Sequence, residues 1–422
     1  MSDHTPPGGT FTHLHCSFSL TVKPLPHQQS PRALLLLEVA KVFLKLGTTA
    51  FGGPAAHTAL MEQEFVRKRA WFSPQEFLDM MGTVNLIPGP TSTELAIFIG
   101  YRRAGWAGLV LGGGCFILPA MLIVTAIAWG YQQYGSLPKA AGMLYGIKPI
   151  VIAILVKALW SLGQVAVKTG WLALIGLCAI TASFLGVHPL LILFAGGLVV
   201  AGSRALAARQ SRGMLLSLAP AWPSRSTVLS TAAISPAAVA SVVRFTSWAL
   251  FLFFLKLGSV LFGSGYLLLA FLRADLVERW HWLTENQLLD AVAVGQFTPG
   301  PILTTATFIG FMLNGLSGAV VATIGIFLPA FLMVAVIGPL VPRLRQSPIA
   351  NAFFDGINVA SLALMLAVTV QLGAAALTDW LTVLLAVLSG LILLRYRINS
   401  AWLVLGGALV GFVASGWKLG SG

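Results

Sequence analysis

Ten long apolar runs, at roughly 34–57, 104–130, 145–166, 170–186, 188–203, 245–271, 315–341, 354–376, 379–394 and 400–416, alternate with short polar segments along the chain. Most approach the ~20 residues that a helix needs to cross a bilayer, so the pattern predicts an all-α polytopic membrane protein of about ten spans. Two polar interruptions do not read as ordinary loops. NLIPGPTSTE at 85–94 and QFTPGPILTT at 296–305 set Pro-Gly-Pro beside hydroxyls, an amide and, in the first, a glutamate. Proline removes an N–H and glycine opens otherwise forbidden φ values, so each stretch predicts a helix broken at membrane depth.

The chain is written twice. FLKLG at 43–47 returns at 254–258, 211 residues later, and the register holds beyond it: Trp71 matches Trp282, Asp79 matches Asp290, and Pro88, Gly89 and Pro90 match Pro299, Gly300 and Pro301. After a one-residue slip, FIG at 98–100 meets FIG at 308–310 and LPA at 118–120 meets LPA at 328–330. The expected organisation is a disordered tail (1–32), a first repeat (33–203), a basic cytoplasmic linker (204–244), a second repeat (245–417) and a short tail (418–422). If each PGP segment is re-entrant, with both ends on one side, each half has about five true crossings and the two repeats are inverted relative to one another. PGP segments that cross fully give six spans per half and parallel repeats.

Composition narrows the class. With 57% hydrophobic and 9% charged residues and a mean hydropathy of +0.86, the chain lies far from soluble domains, in which about 25% of residues are charged. The net charge of +13 does not form a stripe interleaved with aromatics, so no nucleic-acid partner is expected. Placing Arg67, Lys68, Arg69, Arg102 and Arg103 in the cytoplasm puts 15 basic residues inside against 7 outside in the inverted arrangement, as the positive-inside rule favours. Cys16, Cys115 and Cys178 form no CxxC pair. His13, His15 and Cys16 could bind a metal, but a flexible tail offers no preformed geometry, so neither a metal site nor a cofactor is expected. The tail has no apolar core followed by a cleavage site, and it predicts no cleaved signal.

In hydrocarbon, an irregular turn is tolerated only where protein buries it or a polar cavity meets it. The residues after each PGP, namely Thr91, Ser92, Thr93 and Glu94 in one half and Thr304 and Thr305 in the other, open new helices whose free N–H groups suit an anion. The competing reading is a plain kink whose hydroxyls bond back to the preceding turn. FGGP, with Gly52, Gly53 and Pro54, and FGSG, with Gly263, Ser264 and Gly265, break the first span of each half in the same way. Lys45 and Lys256 are matched mid-span cations, each costing about 2.5 to 3.5 kcal/mol on insertion scales, and read as counter-charges, with snorkelling as the alternative. Asn85 and Gln296 can donate to an oxyanion, and Glu94 either carries a coupling proton or sodium or satisfies the helix start. Glu38 and Lys41 are expected to pair within the first helix, and Asp79 and Asp290 to cap or gate. Arg102 and Arg103 read first as topology signals, Trp71, Trp280 and Trp282 as an interfacial belt, and His57 as a packed polar residue.

Together FGGPAAH at 51–57, PGPT at 88–91, FIGYRRAG at 98–105, FGSGY at 262–266 and QFTPGP at 296–301 resemble the chromate ion transporter family in its long, two-domain bacterial form. The resemblance covers nearly the whole chain beyond the tail. It implies export of chromate from the cytoplasm, hence chromate resistance, with sulfate as the close analogue. The motif positions it carries over are Gly52, Gly53, Pro54, Pro88, Gly89, Pro90, Gly263, Pro299, Gly300 and Pro301. The expectation is a secondary transporter, not an enzyme, in a bacterial plasma (inner) membrane. It works by alternating access on membrane potential or an ion gradient, with a chromate- or sulfate-like dianion and the bilayer as partners. Two copies could pair as a homodimer. A sulfate or other oxyanion carrier is the nearest alternative, ahead of an anion channel or an intramembrane reductase.

Overall fold

A computed structural model describes residues 32–213 and 245–420, apart from positions 86, 88, 136, 262–264, 266, 338–346 and 397, and apart from the side chains at 138, 208–213 and 415–420. The expected N-terminal tail, with His13, His15 and Cys16, and most of the expected linker fall outside these residues. The first half runs through α1 (Arg32–Thr49), α2 (Gly53–Glu62, continued by a π-helical turn Gln63–Lys68), α3 (Pro74–Val84), α4 (Thr91–Tyr134), α5 (Pro138–Ala166), α6 (Gly170–Phe184) and α7 (Pro189–Gly213). The second repeats that order through α8 (Ser247–Val260), α9 (Leu268–Phe271, continued by a π-helical turn Leu272–Arg279), α10 (Glu285–Phe297), a 3-10 turn Ile302–Thr304, α11 (Thr305–Ile337), α12 (Pro348–Ala376), α13 (Trp380–Arg395) and α14 (Ser400–Gly420). No strand occurs among the described residues. Helix α7 runs ten residues past the repeat boundary expected at 203.

The repeat extends to backbone detail that sequence identity alone does not require. Both halves hold a non-glycine residue at positive φ after the π turn, Ala70 at 48° and His281 at 52°. Both start the helix before the PGP with a reciprocal capping box, Ser73 with Glu76 and Thr284 with Gln287, which satisfies backbone donors at a helix start. Both fold the long helix after the PGP into an antiparallel hairpin. In α4 the reversal lies at Ala104 and Gly105, with φ +64° at Gly105, and in α11 at Asn314 and Gly315, with φ +58° at Gly315. The arms touch through backbone: a Cβ at Gly108 would collide with the Gly100 carbonyl oxygen, and a Cβ at Gly318 with the Gly310 carbonyl oxygen. Small residues allow such close approach, and between membrane helices it supplies much of the van der Waals attraction.

Helix α1 lies on α4 as α8 lies on α11, with Gly47 against the Phe116 carbonyl and Gly258 against the Ile326 carbonyl. The halves are then interwoven. The last two helices of each pack on the central helix of the other: α13 and α14 on α5, and α6 and α7 on α12. Glycines again set the distance, Gly146 meeting Gly407 and Gly411, and Gly356 meeting Gly196 and Gly197. Among the described residues, α4, α5, α7, α11 and α12 hold stretches long and apolar enough to cross a membrane, and α6, α8, α13 and α14 are shorter apolar helices. The multi-pass, all-α class read from the sequence is the class of this fold.

One end of the bundle is held by charge. Arg69 donates to Glu38 at 3.0 Å and to Glu64 at 2.9 Å, and Arg103 reaches Glu38 at 3.4 Å while stacking 4.7 Å from the Trp71 ring centroid. Burial raises the pKa of Glu64, but hydrogen bonds from Arg69 and Lys68 outweigh it and leave the carboxyl below its ordinary range. Glu38 therefore pairs across helices with two guanidinium groups rather than with Lys41 on its own helix. Trp71, expected in an interfacial belt, is only 6% exposed and stacks on Phe65 beneath Arg103. These contacts hold the start of α3 beside the end of the first arm of α4.

The hairpin contact can be tested directly. Gly108→Ala should destabilise the protein by about 2 kcal/mol, the scale of overpacking at a closed contact. Gly114→Ala, where an added Cβ meets nothing within 4 Å, should not. Thermal unfolding of the two variants in detergent reads the difference.

Candidate functional site

Three of the four expected helix breaks fall on described residues and lie where the halves meet; most of the fourth, at 262–265, lies outside them. In the first half α1 ends at Thr49, Gly52 and Gly53 take φ of 104° and 79°, and Pro54 begins α2 with its ring pre-set for a helix start. The second break follows α3: Asn85 caps its C-terminus, Gly89 has φ 149°, and Pro90 precedes Thr91, the first residue of α4. In the other half Gly300, at φ 90°, donates its N–H to the Ala50 carbonyl at 2.8 Å, so the PGP of the second repeat rests on the first break of the first. A Cβ at Gly300 would press on Ala120, so glycine is required there for space as well as for φ. The same Ala50 carbonyl lies 3.1 Å from His57 Nε2, and His57 is the packed polar residue expected.

A cavity of about 1220 Å³ opens from the first-half breaks. Gly52, Pro54, Asn85 and Thr91 line it, and it continues between α5 and α12 past Lys157, Asn358 and Ser361 to the ion pair of Lys168 with Asp355, at 2.8 Å. Of the other expected positions, Gly53 is half-exposed beside the cavity, while Gly89, Pro90, Ser92 and Glu94 are buried behind it. The Glu94 carboxyl folds back over Gly89, is fully buried, and neither of its oxygens has a hydrogen-bond partner among the described residues. Thr93 Oγ1 beside it is likewise unpartnered.

The matched second-half residues face no such space. Pro299, Gly300, Pro301, Thr304 and Thr305 are buried, and Gln296 is half-buried. The Thr304 hydroxyl donates to the Pro301 carbonyl at 2.8 Å and that of Thr305 to Ile302 at 2.9 Å, so both bond back to the preceding turn. Pro88, Gly263 and Ser264 lie outside the described residues. This side is sealed across the repeats. Asp290 of α10 accepts from the Tyr131 hydroxyl at 2.8 Å and pairs with Lys148 of α5 at 3.3 Å, whereas its counterpart Asp79 is exposed. The helices here are capped by Ser73 and Thr284, not by these aspartates. Burial raises the pKa of Asp290 by more than Lys148 and Tyr131 lower it.

Neither lysine chosen for its matched position lines the cavity. Lys45 is exposed on α1. Lys256 pairs at 3.1 Å with Asp275, which His188 also approaches at 3.6 Å; burial raises the Asp275 pKa, but these partners bring it below its ordinary value. Besides Lys168, which is paired with Asp355, the described residues put one more cation on the cavity, Lys157 on α5, with neither an ion pair nor a hydrogen bond among the described residues. Matching the halves discards it, because its second-half position is Ala367. The available signal was an unmatched charge in the middle of an apolar run.

A protein-family profile described as "Chromate transporter" matches residues 37–201 and, separately, residues 248–412. The chain is 31% identical over 387 residues to a chromate transport protein of Cupriavidus metallidurans, covering 90% of this chain and 93% of the relative. It is 32% identical over 366 residues to a probable chromate transport protein of Synechococcus elongatus, covering 85% and 89%. An uncharacterized transporter of Bacillus subtilis is 27% identical over 158 residues, which is 36% of this chain but 89% of that protein, the length of one repeat. No solved structure matches.

The seal makes two single substitutions unequal. Asp290→Asn places a neutral amide where burial already disfavours the charge, and it should leave thermal stability within about 1 kcal/mol of wild type. Lys148→Met strands a buried carboxylate and should cost about 3 kcal/mol. Equal losses in thermal unfolding would mean that the ion pair itself, rather than burial of Asp290, dominates the energetics.

Proposed function

Because the chain belongs to the chromate transporter family, we propose that it carries chromate, a tetrahedral dianion, out of the cytoplasm by alternating access, and that the arrangement described above is its cytoplasm-open state. The observation that carries this reading is the unequal fate of matched breaks. Gly52, Pro54, Asn85 and Thr91 meet a cavity, while Pro299, Gly300, Pro301, Thr304 and Thr305 are packed shut behind Tyr131, Lys148 and Asp290. A repeated structure with one half open and the other closed can reach a second state by exchanging the two conformations.

The contacts support a sidedness for this reading. Arg103 reaches both Trp71, before α3, and Glu38, so both ends of the α3–PGP–α4 unit lie together, which supports a re-entrant segment. Tyr131 and Lys148, at the far end of the second arm of α4 and the near end of α5, reach Asp290 on α10, so the entry to the second repeat lies at the opposite end, which supports inversion. The cavity runs toward Lys168, at the end that carries Arg67, Lys68, Arg69, Arg102 and Arg103, and the positive-inside rule assigns that end to the cytoplasm. A dianion leaving a cell whose interior is negative by 100 mV gains about 4.6 kcal/mol, so outward movement can run on membrane potential alone. Chromate resistance and residence in a bacterial plasma membrane follow from this activity. Glu94, buried without a partner behind Thr91, is the proposed carrier of any coupling proton.

Inside-out vesicles containing the protein should accumulate labelled chromate when a potential is imposed, saturably and with inhibition by sulfate. Added drive from a pH gradient that disappears in Glu94→Gln would place the coupling proton there. Non-saturable flux would indicate a channel, and chemical consumption of chromate without accumulation would indicate a reductase.

A further inference from the structure

The cavity contains a set of donors that the transport reading does not by itself specify. Among the described residues its charged lining consists of Lys157, Lys168 and Asp355, and the last two neutralise each other at 2.8 Å, leaving a single positive charge there. Thr58 and Ser161 spend their hydroxyl protons on the carbonyls of Pro54 and Ala158. Besides Asn399 and Ser400 at the rim, what stays open is the Lys157 ammonium, the Asn85 and Asn358 amides, and the Ser361 hydroxyl. None of the side chains of Lys157, Asn85, Asn358 and Ser361 has a hydrogen-bond partner among the described residues, and Ser361 Oγ is itself buried. Elsewhere in this bundle Lys148, Lys168 and Lys256 each have a carboxylate within 3.3 Å, while Lys41, Lys45 and Lys139, without ion pairs among the described residues, are exposed and line no part of the cavity; Lys157 is half-buried, unpaired and faces it. A charged group in such a place is expensive and is expected to face a partner or a substrate path.

We propose that Lys157 is the charge that holds the transported tetrahedral oxyanion, with Asn85, Asn358 and Ser361 donating to its remaining oxygens. The proposal rests on the transport reading above and gives it a binding residue. One cation and several neutral donors suit a dianion that must also leave, because full charge neutralisation would hold it too tightly. The repeat makes the site one-sided. The second-half match of Lys157 is Ala367, and the first-half match of Asn358 is Lys148, which is committed to Asp290. The cation is therefore supplied once, from the half whose breaks are open, and a single anion is held off the axis that relates the repeats.

The test uses full-length protein in proteoliposomes and in detergent, with chromate and sulfate as the probes. In chromate counterflow, Lys157→Gln should raise KM about tenfold or more with little change in maximal rate, the scale of one lost charge-assisted hydrogen bond. Lys157→Arg, which keeps the charge, should fall between Lys157→Gln and wild type, and the exposed Lys41→Gln should match wild type. The upward shift in Tm that chromate or sulfate produces in wild type should disappear in Lys157→Gln. An unchanged KM in Lys157→Gln, or a loss confined to maximal rate, overturns the assignment. Absence of chromate flux in wild type, together with an oxyanion-induced Tm shift that depends on Lys157, overturns the transport reading and keeps the anion site.

Discussion

A backbone N–H or carbonyl in hydrocarbon must find a partner, and among the described residues this chain interrupts its helices three times at the meeting place of its two halves. The hydrogen bond from Gly300 to the Ala50 carbonyl shows how the constraint is met: a break in one repeat is satisfied by a break in the other. Glycine is needed at 300 because the backbone adopts φ 90° and an added Cβ would press on Ala120 and on the Gly47 carbonyl. Breaks that are not covered in this way must meet a polar space, and those around Gly52, Asn85 and Thr91 do so. Packing and solvation are thus two solutions to one problem, and the repeats adopt one each.

That division requires the halves to be equivalent in build and unequal in arrangement. The equivalence is deep: paired π turns, paired capping boxes, paired positive-φ residues and paired glycine-lined hairpins. The inequality lies in the side chains that cross between halves. Lys148 and Tyr131 reach Asp290 on one side, whereas the matching position to Lys148 is Asn358, which leaves Asp79 exposed. Interweaving α5 with α13 and α14, and α12 with α6 and α7, ties the two arrangements together, so neither half can change its packing without the other.

Much of this was legible in the sequence. The membrane class, the duplication and the three breaks on described residues follow from hydropathy, register and the chemistry of proline and glycine. What the residues do with one another was less so. Lys45 and Lys256 attracted notice because they match, yet one is exposed and the other is taken by Asp275, a residue whose proximity depends on how α9 folds back on α8. Lys157 has no matched cation in the second half, and asymmetry is what a substrate site in a duplicated chain can use. Glu38 found Arg69 and Arg103 through tertiary contact rather than helical spacing, and the Thr304 and Thr305 hydroxyls bonded back to their own turn, the alternative that a kink always offers.

The central claim is that the two sets of breaks open in turn and to opposite sides. It can be tested most directly with Asn85→Cys and Gln296→Cys, each made in a chain whose native Cys16, Cys115 and Cys178 are replaced by serine, and exposed to a membrane-impermeant maleimide from either face. Asn85→Cys should react from the cytoplasmic face and Gln296→Cys from the other, and any condition of potential or chromate that raises one should lower the other. Simultaneous reaction of both, or reaction of both from the same face, would contradict alternating exposure of inverted repeats.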